Sequence, residues 1–195
     1  MSFDKISFLS TINIDIHKPI IAKAKKGNNK AQKKLYELYS KAMFNICYRM
    51  MNNVPEAEDV LQEAFCEAFV RLDSFRFEST FGAWLKRIVV NKCINALKRK
   101  KIELEYTNHV YQLEISDEEP KDESYLQLEK IKRAMGLLPD GYRVVFSLYL
   151  MEGYDHQEIS EILGISESTS KSQLARAKKK LMEIIKAGSF EFSIN

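Results

Sequence analysis

Cysteine and histidine are scarce in this chain, and their spacing excludes the sites that they usually build. The three cysteines, Cys47, Cys66 and Cys93, are an odd number, lie far apart and include no Cys-x-x-Cys pair, and the three histidines have no metal-ligand spacing. Isolated cysteines of this kind are usually small buried side chains in a reducing cytosol. We therefore expect all three to be buried, and we predict neither a disulfide framework nor a metal site.

Long apolar runs and targeting signals are also missing. The most apolar run, YRVVFSLYLM in residues 142–151, is shorter than the ~20 residues that a membrane span needs. The N-terminus has no basic flank followed by an apolar core and a small-residue cleavage site. We therefore expect a soluble, cytoplasmic protein without membrane insertion.

Recognisable catalytic machinery is a third absence. The sequence contains no nucleophile–base pair, no phosphate-binding loop and no cluster of metal ligands, so we expect neither enzymatic activity nor a cofactor. The net charge of +3 is too small to indicate a partner. The charges are nevertheless segregated: residues 86–101 carry seven basic and no acidic side chains, and residues 54–67 carry five acidic and no basic ones. Such segregation suggests separate binding faces for different partners.

Helical periodicity is present in two parts of the chain. It begins near Ile21 and continues to about Arg99, interrupted by NNVPE at residues 52–56 and by LDSFRFES at residues 72–79. It resumes near Ser124 and continues to about Ala187, interrupted by three helix-breaking residues: Pro139, Gly153 and Gly164. Residues 1–20 show no clear period.

Between these two parts, residues 102–123 contain eight acidic residues, one lysine and Pro120, with few regular apolar positions. That composition is typical of a linker. We therefore predict an all-α protein in which two small helical domains, residues 21–101 and 124–187, are joined by an acidic linker of residues 102–123.

The predicted helix of residues 59–72 has one apolar and one acidic face. Leucine, alanine and phenylalanine side chains recur at the spacing of one buried stripe. Opposite them lie Asp59, Glu63 and Glu67, each four residues apart, which we call the acidic ridge. Two interpretations remain open, because such a ridge is either a solvated face or a docking surface for a basic partner.

The predicted helix of residues 81–100 carries a mixed stripe between two apolar faces. At 100° per residue, one aromatic side chain, two amides and two cations align, and we call them the Trp84 stripe: Trp84, Arg87, Asn91, Asn95 and Lys98. Cations bind phosphates, amides bond base edges and an indole stacks on an unpaired base, so the stripe favours nucleic acid. The alternatives are core packing for Trp84 and helix-dipole compensation for the basic end KRKK.

The preceding segment DSFRFEST, residues 73–80, is called the aromatic loop. It brings Phe75, Arg76 and Phe77 beside the Trp84 stripe. Two interpretations are open here as well. The loop either cradles a base turned out of its stack or fastens to the core through its phenylalanines.

The segment HQEISEILGISESTSKSQLARAKKKL, residues 156–181, has the pattern of a helix-turn-helix. Gly164 permits the sharp turn and Ser166 is a good N-cap for the second helix. In that helix Ser170, Leu174, Ala177 and Leu181 share one side. The other side and its flanks carry short polar groups first and long cations later, which is typical of a recognition helix. A helical hairpin with a solvated basic face is the alternative.

Taken together, these segments resemble a bacterial RNA polymerase sigma factor of the small two-domain extracytoplasmic-function group in the sigma-70 family. The resemblance rests on EDVLQEAFCEAFVRLDSF from residue 58, on FGAWLKRIVVNKCINALKRKK from residue 81, and on residues 137–181. It covers most of residues 21–185. It implies a protein that binds core RNA polymerase, directs it to specific promoters and helps to melt the −10 region.

The resemblance also implies a role for particular residues. Residues 21–101 would be a region 2-like domain whose acidic helix docks on the polymerase, through Asp59, Gln62, Glu63, Phe65 and Glu67. The same domain would engage the single-stranded −10 element, through Phe75, Arg76, Phe77, Trp84, Arg87, Asn91, Asn95, Lys98 and Arg99. Residues 124–187 would be a region 4-like domain that reads the −35 element as duplex, through Ser168, Thr169, Lys171, Ser172, Gln173, Arg176 and Lys179. An anti-sigma factor is a further expected partner.

The chain departs from the family pattern at three positions. Asn95 stands where aspartate is common, and Ser170 and Gln173 stand where a β-branched residue and an arginine are usual, so the resemblance implies no promoter sequence. Two other functions fit part of the pattern. A DNA-binding regulator that acts without polymerase leaves the acidic ridge unexplained. In a helical adaptor that binds only proteins, the lysines would serve only for solubility.

Overall fold

The computed structural model describes residues 17–106 and 123–190, with side chains described for residues 17–100 and 130–187. These residues are helical and include no strand, which confirms the predicted all-α class. The chain divides into two compact units, with the boundary between Lys100 and Lys101. Within the described residues, no helix has the length and apolarity that a membrane crossing requires.

Within its described residues, the first unit contains four helices. Helix α1 covers residues 17–25, α2 is Asn29–Met51, α3 is Val54–Val70 and α4 is Phe81–Tyr106, with a short 3-10 turn at Leu72–Ser74 between the last two. Asparagines make the turns between the first three helices. The side chains of Asn28 and Asn53 each accept a backbone hydrogen bond at a helix N-terminus, and Asn52 ends α2 in the left-handed conformation.

The core of the first unit confirms the apolar stripes read from the sequence. Leu61, Ala64 and Ala68 of α3 are buried, as are residues on both apolar faces of α4. The cysteine prediction is partly wrong: Cys47 and Cys93 are buried, but Cys66 lies on the outer side of α3 and is exposed.

Residues 123–190 of the second unit form four more helices. Helix α5 is Glu123–Gly136, α6 is Asp140–Phe146 and continues into a π-helical turn at Ser147–Met151, α7 is His156–Leu163 and α8 is Glu167–Phe190. The α7 helix begins with a capping box in which Asp155 and Glu158 each accept the other's backbone N–H. It ends at Gly164, whose φ of 69° is the left-handed value expected for this turn.

Three features differ from those expected from periodicity, and the first is a break between α1 and α2 at residues 26–28 where none was expected. Helix α1 begins at residue 17, within the segment 1–20 that showed no period, and residues 1–16 lie outside the described residues. Helix α4 continues to Tyr106, so residues 102–106 are helical rather than linker. No glycine or proline separates Lys101 from Tyr106, and good helix formers extend the helix. Residues 107–122 of the predicted linker lie outside the described residues.

Candidate nucleic-acid and protein interfaces

The acidic ridge lies on the outer face of α3. Asp59, Gln62 and Glu63 are exposed, and Glu67 is half-buried. Glu63 and Glu67 are not isolated carboxylates, because basic side chains of α4 reach across to them. The Nζ of Lys92 lies 3.0 Å from a Glu67 oxygen and 3.6 Å from a Glu63 oxygen, and an Arg99 nitrogen lies 3.9 Å from Glu63. The acidic and basic segments, which the sequence suggested as separate faces, therefore meet along one seam.

Glu67 is the most strongly held carboxylate of the ridge. Hydrogen bonds from Arg71, at 2.8 Å, and from Lys92 lower the pKa of its carboxyl group. The same contact raises the pKa of the Lys92 ammonium, mainly through the hydrogen bond to Glu67. Asp59 has no ion pair among the described residues, so the end of the ridge at Asp59 retains more negative charge than the end at Glu67.

Phe65 does not lie on the surface where a docking contact was expected. Its side chain is only 3% exposed. Its ring contacts Tyr36 edge-on at 4.8 Å between centroids and lies 5.9 Å from the ring of Phe69. Phe65 lies on the apolar stripe of α3 rather than on the ridge. The expected direct contact of Phe65 with a partner is therefore replaced by a packing role beneath the ridge.

The Trp84 stripe lies on the outer side of α4. Arg87, Asn91, Asn95 and Lys98 are exposed, as is the neighbouring Arg99, and Trp84 is half-buried. The indole packs against Phe75 at 5.4 Å and Phe81 at 5.6 Å between centroids. Trp84 therefore packs against the core with one part of its ring and leaves another part accessible.

The two phenylalanines of the aromatic loop differ in burial. Phe75 is buried, at 2% exposure, and fastens the loop to the core. Phe77 is half-buried with a φ of 61°, an uncommon value for an aromatic residue. Arg76 between them is exposed.

A cavity of about 220 Å³ opens beside the aromatic loop. It is lined by aromatic and polar side chains from α1, α2, the loop and the start of α4, among them His17, Tyr39, Phe75, Phe77, Thr80 and Phe81. One side is held by a 2.6 Å hydrogen bond between His17 Nδ1 and the Tyr39 hydroxyl. Burial raises the pKa of the Tyr39 phenol. Rings and hydroxyl groups around one opening suit a flat heteroaromatic guest.

In the second unit, the outward face of α8 is the predicted recognition surface. Ser168, Lys171, Ser172, Arg176 and Lys179 are exposed, and Thr169 and Gln173 are half-buried. Ser166 caps the helix by accepting the backbone N–H of Thr169 at 3.1 Å. Lys171 is paired with Glu167 at 2.6 Å. The inner face is confirmed, since Ser170, Leu174, Ala177 and Leu181 are all buried.

Two contacts in these surfaces were not predicted from the sequence. Lys25 of α1 reaches the aromatic loop, 50 residues away in sequence, and helical periodicity gives no signal for such a contact. His156 of α7 hydrogen-bonds Ser170 of α8 at 2.9 Å and stacks on Tyr149. The small polar Ser170 on an apolar stripe was the available signal, because a buried hydroxyl needs a partner.

Comparisons with known proteins agree with this architecture. The family Sigma-70 region 2 matches residues 35–102, and Sigma-70, region 4 matches residues 128–181. The chain is 33% identical over 172 residues to the ECF RNA polymerase sigma factor SigW of Bacillus subtilis, an alignment covering 83% of this chain and 92% of SigW. It is 29% identical over 162 residues to the ECF RNA polymerase sigma factor SigM of Mycobacterium tuberculosis, covering 82% and 79% of the two chains.

Solved structures show the same likeness. The sigma factor RpoE in complex with the anti-sigma factor NepR from Bartonella quintana matches with a TM-score of 0.60 and 25% identity, covering 79% of this chain and 96% of RpoE. CnrH in complex with the cytosolic domain of CnrY matches with a TM-score of 0.52 and 26% identity, covering 86% and 96%. The chain therefore belongs to the ECF RNA polymerase sigma factors and directs RNA polymerase to promoters.

Proposed function

We propose that this sigma factor uses three surfaces, each for a different contact. The acidic ridge with Gln62 docks on core RNA polymerase, the Trp84 stripe and the aromatic loop hold the unpaired −10 strand, and the outward face of α8 reads the −35 duplex. Residues 21–101 then act as a region 2-like domain and residues 124–187 as a region 4-like domain. The observation that carries the proposal is the exposure of the Trp84 stripe beside an aromatic-lined cavity.

The solvent-exposed charge of the ridge supports its docking role. A cluster of carboxylates on one helix face suits a basic surface, and Asp59 and Glu63 keep their side chains in solvent. Lys92 and Arg71 already bind Glu67, so we assign Glu67 mainly to holding α3 and α4 together. Phe65 supports the ridge from beneath.

The chemistry of the Trp84 stripe supports capture of a single strand. Arg87, Lys98 and Arg99 offer positive charge to phosphates, and Asn91 and Asn95 offer amides to base edges. The accessible part of Trp84 and the ring of Phe77 offer surfaces on which an unpaired base stacks, with each stacking contact contributing about 1–3 kcal/mol. Capture of bases after they leave the duplex then favours the melted state.

The order of side chains along α8 supports duplex recognition. Its first turns present short hydroxyl groups from Ser168, Thr169 and Ser172, and its later turns present Arg176 and Lys179. A recognition helix that enters the major groove by its N-terminal turns places early residues near bases and later cations near phosphates. The glycine turn and the Ser166 cap fix the start of this helix.

Three further properties belong to the same proposal. The protein acts in the cytoplasm, where bacterial transcription takes place, and it contributes recognition rather than catalysis. An anti-sigma factor is its regulatory partner. Of the two solved structures to which this chain is similar, one holds RpoE bound to the anti-sigma factor NepR and the other holds CnrH bound to the cytosolic domain of CnrY.

Reconstitution with core polymerase tests the proposal. Transcription of genomic DNA by core RNA polymerase together with the purified chain first identifies a promoter fragment. The chain is then mixed with core RNA polymerase and that fragment. We expect co-elution of the chain with core polymerase during gel filtration, and transcription that depends on both. Failure to co-elute with core would contradict the docking surface, and tight duplex binding by the chain alone would favour a regulator that acts without polymerase.

A further inference from the structure

Lys25, near the end of α1, is joined to the aromatic loop by its side-chain ammonium group. The Nζ donates hydrogen bonds to the backbone carbonyl oxygen of Phe75 at 2.5 Å and to that of Asp73 at 3.4 Å. It also lies 5.3 Å from the ring centroid of Phe77 and 6.0 Å from that of Phe75. One half-buried cation therefore contacts both the backbone and the rings of a loop that is 48–50 residues away.

The loop conformation held by Lys25 is one that the chain adopts only when its surroundings impose it. Phe77 has a φ of 61°, in the left-handed region that aromatic side chains rarely occupy. Backbone strain of this kind persists where neighbouring contacts determine the conformation, and it is concentrated at functional sites. Hydrogen bonds from a charged donor are among the stronger contacts available for this purpose. Lys18 adds a second cation, 5.7 Å from the Phe77 ring centroid.

We propose that Lys25 is a positioning residue that holds the aromatic loop in the shape required to capture an unpaired base. Its hydrogen bonds fix the Asp73–Phe75 backbone, and its charge over the ring retains Phe77 at the edge of the cavity. The proposal rests on the role of the loop at the −10 strand. Direct contact of Lys25 with a DNA phosphate is disfavoured, because its ammonium is half-buried and already bound to two carbonyl groups, whereas the neighbouring Lys23 and Lys26 are exposed.

Trp84 provides a test that needs no DNA. It is the single tryptophan of the chain and lies 5.4 Å from Phe75, so its fluorescence reports on the loop. Lys25→Met keeps the length of the side chain but removes its donors and charge. We expect red-shifted Trp84 emission and stronger quenching by acrylamide, with unchanged helix content by circular dichroism. Lys26→Met, which removes the same charge from an exposed position in the turn that follows α1, should leave the emission unchanged.

Binding to a single-stranded −10 oligonucleotide tests the functional consequence. With the variants assembled on core polymerase, Lys25→Met should weaken oligonucleotide binding between about fivefold and a hundredfold, the range expected when one stacking contact is lost. Lys25→Arg, which retains the charge and the donors, should recover most of the affinity. Core binding should not change, and the dependence of affinity on salt should keep the wild-type slope.

Different results would contradict different statements. Unchanged Trp84 emission in Lys25→Met would overturn the positioning role of Lys25. A salt slope reduced by about 0.7 would overturn it in favour of direct phosphate contact, since that is the change for one phosphate contact on a single strand. Altered Trp84 emission with normal oligonucleotide binding would leave Lys25 as the residue that positions the loop and would contradict the role of the loop at the −10 strand.

Discussion

Reversing the charge of Glu63 is expected to separate polymerase binding from folding. Glu63 has a side chain that is 48% exposed and lies 3.6 Å from Lys92 and 3.9 Å from Arg99. Exposed ion pairs contribute about 0.2–1 kcal/mol each. Glu63→Lys removes two such pairs and adds repulsion of similar size, so the free energy of unfolding should fall by roughly 1–2 kcal/mol. That loss is small beside the ~5–15 kcal/mol of a typical domain.

Core binding should weaken measurably while the domain stays folded. Glu63→Lys introduces a like charge opposite a basic docking surface, and we expect at least about a tenfold weaker affinity, or ~1.4 kcal/mol. The control is Glu37→Lys on α2, which changes the net charge equally at a side chain that is 49% exposed and paired with Lys34. Affinity is measured by titrating labelled protein with core polymerase, and unfolding is followed by Trp84 fluorescence in urea. Equal affinities of the two variants for core would refute the docking ridge.

Two further predictions concern the turn of the second unit and the seam of the first. Gly164→Ala and Gly153→Ala both place a Cβ in open space at a left-handed φ, so each should cost about 1–2 kcal/mol of stability. Only Gly164→Ala should also weaken upstream DNA binding. Equal weakening of DNA binding by both variants would contradict the role of the turn. Because the folded-state pKa of Glu67 is lowered, its ion pairs stabilise the protein at pH values above the ordinary pKa of 4.5. This stabilisation should disappear as the pH falls below 4.5 and through the lowered pKa. Urea denaturation of the wild type and Glu67→Gln across this range should show converging stabilities, and a constant difference would contradict the assignment.

Periodicity predicted most of the helices and their buried faces. The stripe that includes Leu61, Ala64 and Ala68 is buried, and the breaks at Pro139, Gly153 and Gly164 all separate helices. These features are local, because a repeat of 3.6 residues and a helix-breaking residue act within a few turns. The exposed faces of α4 and α8 follow from the same periodicity.

Contacts between helices could not be predicted in this way. The pairing of Lys92 with Glu67 and of Lys25 with the loop depends on which helices pack together, which a single sequence does not indicate. Phe65 shows a related limit. The resemblance placed it in a docking motif, whereas periodicity placed it on the apolar stripe, and its burial follows the periodicity. Packing decides which side chains of α3 reach the surface.

The division of labour between the two units is tested most directly by footprinting a promoter complex. Core polymerase assembled with the wild type, Trp84→Ala or Arg176→Ala is bound to one promoter. Permanganate then detects unpaired thymines at the −10 element, and DNase I detects protection at the −35 element. We predict that Trp84→Ala loses −10 reactivity while retaining −35 protection, and that Arg176→Ala loses −35 protection but still transcribes a template melted beforehand at −10. Normal −10 reactivity in Trp84→Ala, or the same defect in both variants, would contradict the account.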